Sequence, residues 1–181
     1  MWESLLKGEW LSKSQRAKPA LLSKKENGLS LPGSAFVELL KAVLDKGTPF
    51  RFRAEGFSMH PFIRNGDLVT LSPLFNTIPR LGDVVAFVLP GTDRLMIHRI
   101  IGAKGRFFLM KGDNLHGPDG LIRKTNILGR VTRVERNGKE IFFGIGPERI
   151  LIALLTRRKA VSSSLLHVRR LVRPIIKRWL K

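Results

Sequence analysis

Hydrophobic positions along the chain change their period twice. Between residues 34 and 46 they recur at steps of three and four: Phe36, Val37, Leu39, Leu40, Val43 and Leu44 share one face, Ser34 stands at the capping position, and Gly47 follows the last turn. This spacing predicts a single helix over residues 35–46. From residue 50 the period shortens to two, in runs at 50–54, 68–71, 84–89, 95–101, 106–110, 128–135 and 139–143, which predict seven strands. Lys104-Gly105 and Asn137-Gly138 fall between strand pairs as hairpin turns, and Asn-Gly suits a turn whose two central residues both take positive φ. Gly66-Asp67, Gly82-Asp83 and Gly112-Asp113 mark strand boundaries. Strands this short and closely spaced predict a mainly β protein, a small antiparallel barrel or folded sheet behind one helix.

The helical period returns near the end. Leu165, Leu166, Val168, Leu171, Val172, Ile175, Ile176, Trp179 and Leu180 form one stripe, with Arg169, Arg170, Arg173, Lys177 and Arg178 in the gaps. A basic amphipathic helix is expected there, kinked or divided at Pro174. Three sections follow: an arm of weak periodicity over residues 1–33, with a short helix near residues 2–11; a β body over 34–147; and a basic helical tail over 148–181.

Composition narrows the chemistry. With 181 residues, 43% of them hydrophobic, the chain can fill one core. It has no Cys, which removes thiolate nucleophiles, Cys-based zinc sites and iron–sulfur ligation. No apolar run exceeds six residues, far short of the roughly 18 to 20 that a membrane-crossing helix needs. Glu3, Lys7, Glu9 and Lys13 interrupt the stretch that a secretory signal would keep apolar, so the expected location is cytoplasmic. The net charge is +19, and residues 148–181 hold ten basic side chains against one acidic. Such an end needs a polyanionic partner. Trp179 among Lys and Arg suits the headgroup layer of an anionic membrane, whereas too few aromatics interleave the basic residues to serve nucleic acid as stacking platforms. Peripheral attachment to an anionic membrane through residues 148–181 is therefore expected. Docking of the apolar stripe on the protein's own core or on another protein remains the competing use.

One segment between the first two predicted strands carries reactive groups: Gly56-Phe57-Ser58-Met59-His60-Pro61. A Ser beside a Gly turn, with Pro61 favouring a helical turn after it, can expose its Oγ and face an anion with its own N–H. Taken singly, such a Ser is an ordinary cap. Four further boxes follow in order: Gly66-Asp67-Leu68-Val69, Gly82-Asp83-Val84-Val85, Ile97-His98-Arg99-Ile100 and Lys111-Gly112-Asp113-Asn114, and then Leu128-Gly129-Arg130-Val131. This succession, over roughly residues 50–135, resembles the signal-peptidase and LexA-like self-cleaving protease superfamily.

The resemblance implies a β protease body with Ser58 as nucleophile and His98 as general base. Bacterial signal peptidases and LexA-like proteins carry Lys at the base position, so His98 makes this chain similar to the endoplasmic-reticulum, archaeal and SipW-type signal peptidases. Lys must be heavily desolvated to be neutral near pH 7, whereas an imidazole, ordinarily near about 6.5, is largely neutral already and needs orientation instead. For the orienting acid the resemblance favours Asp119 over Asp113, which it leaves a structural or supporting part. Phe57, Met59 and Pro61 are the expected substrate contacts, and His60 and His116 are expected at the rim. Gly56 stands where many signal peptidases place a Ser that helps hold the oxyanion, which leaves the Ser58 N–H as the identified donor. No cofactor or metal is implied. The activity implied is that of a serine endopeptidase cutting leader or signal segments after small residues, the segment lying extended along a sheet edge. The other function class is a non-catalytic or self-cleaving LexA-like regulatory module that binds a membrane or DNA through its basic surface. Residues 1–48 show one convincing helix, short of the helix-turn-helix that a DNA-binding version needs.

Overall fold

The computed structural model describes residues 33–157, except Asn76. The short helix expected near residues 2–11 and the amphipathic helix expected from Leu165 lie outside the described residues.

The first helix, α1 (Gly33–Asp45), begins earlier than the pattern predicts and takes Ser34 into its first turn. Its inner face buries Val37, Leu40 and Leu44. Gly47, at φ 83°, ends it: the Gly47 N–H reaches the Leu44 carbonyl and the Thr48 N–H the Val43 carbonyl, the paired bonds that close a helix through a left-handed residue.

Eight strands follow: β1 (Phe50–Arg53), β2 (Leu68–Ser72), β3 (Val84–Val88), β4 (Leu95–Lys104), β5 (Phe107–Lys111), β6 (Gly120–Arg123), β7 (Ile127–Arg136) and β8 (Lys139–Glu140). Seven lie in the order β1-β2-β7-β3-β4-β5-β6, and β8 pairs with β7. Every pairing is antiparallel. The protein is thus mainly β with flanking helices, as the short alternating runs predict. The pattern misses β6, and β8 stops at Glu140. At the β7–β8 hairpin Asn137 and Gly138 both take positive φ, 52° and 74°. Register shifts at Thr70/Leu71, Ala86/Phe87 and Ile100/Gly102 bend the strands where they occur.

The bent sheet divides the core in two. Val84 and Ala86 of β3 join α1, β2 and β7 in one cluster; Val85 and Phe87 join Ile100, Phe108, Met110 and Ile122 in the other. Apolar residues on both faces explain why β3 reads as an unbroken apolar run. The last described element, α2 (Arg149–Arg157), packs on the body: Ile152 meets Phe62, and Ala153 joins Ile101 and Leu109. A Cβ built on Gly82 would sit 2.7 Å from the Arg149 backbone, so only glycine allows this approach. The start of the basic 148–181 segment is therefore part of the folded body.

Candidate active site

The three Gly-Asp turns share one feature, a buried aspartate bonded to an arginine from another element. Asp67 accepts two bonds from Arg136, at 2.8 and 2.7 Å, and one from the Arg64 N–H. Asp83 accepts from Arg149 Nε at 3.1 Å and from the Arg80 N–H. Asp113 is held by both forks of Arg99, at 2.8 and 2.7 Å. Carboxylates 2–3% exposed are cut off from water and need such hydrogen-bond partners. These turns pin the sheet corners, and all their carboxylates are engaged away from His98.

Ser58 lies in the turn between β1 and β2. Gly56, at φ 90°, opens it and donates its N–H to Asn65 Oδ1. The Phe62 and Ile63 N–H groups both donate to the Met59 carbonyl and close a tight turn with His60-Pro61 in cis, in place of the helical turn expected after Ser58. Ser58 and Pro61 are half-buried, His60 and His116 are exposed, Phe57 is 68% exposed, and Met59 is turned into the larger core at 4%. Of the three residues expected to touch substrate, Phe57 is the one that presents a large free surface. The Ser58 N–H donates to no described residue.

The segment after β5 holds this turn at one end and the histidine at the other. The Asn114 N–H donates to the Ser58 carbonyl at 2.7 Å and its side-chain amide to the Phe57 carbonyl at 3.2 Å. Gly112 sits so close that an added Cβ would lie 2.8 Å from the Ser58 oxygen. Further along, the Asp119 N–H donates to the Met110 carbonyl, and Asp119 Oδ2 lies 2.5 Å from His98 Nδ1.

His98 projects from β4 beside Val85 and is fully buried, its ring meeting Phe87 edge-on at 6.1 Å. In the neutral tautomer that donates from Nδ1 to Asp119, Nε2 is left as the acceptor. Among the described residues no hydrogen-bond partner reaches Nε2, and Ser58 Oγ does not donate to it in this conformation. Catalytic hydrogen bonds of this kind commonly tighten only when substrate arrives. A cavity of about 200 Å³ between β3, β7 and α2 is lined by Asp83, Arg130 and Arg149 and by none of Ser58, His98 or Asp119.

Arg99, Gly112, Asn114 and Lys111 all stand in the quoted boxes, but nothing in their residue type or spacing marks out an individual part for any of them. Arg99 fixes Asp113, Gly112 and Asn114 seat Ser58, and Lys111 donates from Nζ to the Thr156 carbonyl of α2 at 2.7 Å. A cation at a helix C-terminus also meets the negative end of the helix dipole. Burial pushes Lys111 below the ordinary lysine value of 10.5, while Asp113 and Asp119 pull the other way. Between that lowered value and 10.5 the unfolded chain binds the proton that the folded chain has released, so unfolding free energy should rise with pH in this window. Denaturant unfolding of wild type and Lys111→Met at stepped alkaline pH checks it. The wild-type rise should be absent from the variant, and a pH-independent difference between the two would contradict the assignment.

An antiparallel body that carries a turn serine, a buried strand histidine and a carboxylate behind it belongs with the serine peptidases of the LexA and signal-peptidase superfamily. More narrowly, the chain belongs to the Peptidase S24-like family, whose model matches residues 23–132, more than half its length, and spans Ser58, His98, Asp113 and Asp119. No curated protein matches the chain. The family also includes members without catalytic activity.

Proposed function

We propose that this protein is a serine endopeptidase of signal-peptidase type, with Ser58 as nucleophile, His98 as general base and Asp119 as the acid that orients it. The observation that carries the reading is the placement of His98: a buried imidazole with one nitrogen on a carboxylate and the other without a partner among the described residues. With Nδ1 engaged by the carboxylate, Nε2 is the nitrogen left to act as general base toward Ser58 Oγ.

In the proposed reaction His98 Nε2 takes the Ser58 Oγ proton as Oγ attacks the scissile carbonyl carbon. Asp119 stabilises the imidazolium, and the Ser58 N–H faces the new oxyanion. The C–N bond then breaks, His98 returns the proton to the leaving amine, and water activated by the same nitrogen hydrolyses the acyl-Ser58 ester. Asp113 takes no direct part, being committed to Arg99. The substrate is a leader or signal segment, bound extended across the exposed Phe57 and cut after a small residue. Residues 148–181 hold the enzyme peripherally at an anionic membrane surface, on the cytoplasmic side.

The test incubates the full chain with leader peptides carrying a small residue before the cut and follows both by mass spectrometry. An acyl adduct mapped to Ser58, together with matching peptide products, is the expected result. Cleavage with no adduct at Ser58 under rapid acid quench counts against the assignment. Shortening of the chain itself, with the peptides left whole, would point instead to a self-cleaving regulatory module.

A further inference from the structure

We propose that the outer face of α2 is a membrane-contact surface of the folded body, taking an anionic lipid surface as its partner. This deepens the reading of residues 148–181 as membrane-facing and rests on it. The inner face of α2 is already spent: Ile152, Ala153 and Thr156 are buried, Lys111 holds the Thr156 carbonyl, and Arg149 is bonded to Asp83. The opposite face keeps Ile150, Leu151 and Leu154 at 47, 45 and 46% exposure. Ile150, Leu154 and Arg157 stand at i, i+4 and i+7, one line along the helix, with Leu151 beside it. These three branched side chains, each about half exposed on one helix, leave an apolar patch without a partner among the described residues.

Charge identifies the occupant. Arg157 is the last described residue on this face, and the sequence continues into residues 158–181, which hold eight Lys or Arg and no Asp or Glu. A small apolar wedge followed directly in sequence by a block of cations fits the boundary between anionic headgroups and acyl chains, where apolar side chains bury and basic stems reach outward. A second copy fits poorly. Three half-exposed side chains fall well short of the roughly 800 Å² per partner of a stable interface, and a net charge of +19 repels its like.

The absence of Cys makes the test direct, because Leu154→Cys introduces a single thiol into the full chain. Labelled there with a polarity-sensitive fluorophore, the protein should shift its emission to the blue on adding phosphatidylcholine vesicles containing phosphatidylglycerol, and not with phosphatidylcholine alone. In flotation with the same vesicles, the triple variant Ile150→Ser, Leu151→Ser, Leu154→Ser should lose about tenfold or more of its partitioning. Its thermal transition, compared with wild type, reports whether the body is intact. Wild-type flotation with an unmoved label and an unchanged triple variant would overturn the α2 surface while leaving the tail reading standing. No flotation of the wild type would overturn both. Blue emission before vesicles are added, rising with protein concentration in step with the sedimentation coefficient, would assign the face to a second copy and overturn the proposal.

Discussion

Ser58→Ala should lower kcat for a cleaved leader peptide by about 10⁶-fold, and His98→Ala by nearly as much, while the double variant should be little worse than either alone. The reason for non-additivity lies in the division of labour. A hydroxyl without a base is a poor nucleophile at neutral pH, and a base without the hydroxyl has nothing to deprotonate, so losing one cancels the other. Asp119→Ala should cost less, about 10⁴-fold, because an imidazole deprived of its carboxylate still samples the productive tautomer part of the time. Ser58→Ala is the cleanest of the three structurally: the Ser58 contacts to Asn114 and Gly112 run through its backbone carbonyl, so the turn should persist and the circular dichroism spectrum should not change. His98→Ala leaves a hole beside Phe87 and should lower the melting temperature as well as the rate. Single-turnover rates with saturating peptide check the series. Residual cleavage by Ser58→Ala within tenfold of wild type would remove Ser58 from the chemistry.

The parts of the molecule legible from the chain are those in which local pattern and final environment agree. β3 is an apolar run because both its faces are buried, and the Asn137-Gly138 hairpin is written in two residues that tolerate positive φ. β6 escaped notice for the opposite reason: Gly120–Arg123 offers four residues between the turn-like Pro118-Asp119 and Lys124-Thr125-Asn126, too few to show an alternation, and its pairing to β5 supplies the structure. β4 runs on to Lys104 although Gly102-Ala103-Lys104 shows no strand pattern, because β5 pairs with it beyond the bulge. In the site, Ser58 and His98 stand out by residue type and by their boxes. Lys111 and Asn114 do not, since what they contribute is a contact to a carbonyl oxygen 45 or more residues away, and any residue offers a carbonyl. Met59 shows the limit of reading by adjacency: next to Ser58 in sequence, it is buried in the larger core while Ser58 is half-buried and Phe57 is exposed.

Arg99 is the sharpest such case, and replacing it with Met should destabilise the fold by about 3 to 5 kcal/mol. In a strand, a lone Arg reads as a solvent-facing residue, yet this one is 0% exposed. Its guanidinium grips Asp113 with two bonds, donates to the Gly82 and Gly144 carbonyls at 2.9 and 2.8 Å, and lies 5.4 Å from the centre of the Phe62 ring. Removing it strands a fully buried carboxylate and two carbonyls, each cut off from water. Guanidinium unfolding should show the loss at an unchanged slope, and the melting temperature should drop by about 10 °C. Arg99→Lys should recover only part, since a single ammonium cannot reach a carboxylate and two carbonyls in the geometry a planar fork allows. Arg99→Met with Asp113→Leu should be more stable than Arg99→Met alone, because the second change takes away the uncompensated charge. That pairing separates two consequences of the same contact. Asp113 lies between Gly112 and Asn114, which seat the Ser58 turn, so the double variant should regain stability without regaining full kcat: a fold repaired by deleting the buried ion pair still lacks the fork that fixes where the nucleophile's backbone is held. Equal recovery of both would mean that the ion pair serves stability alone.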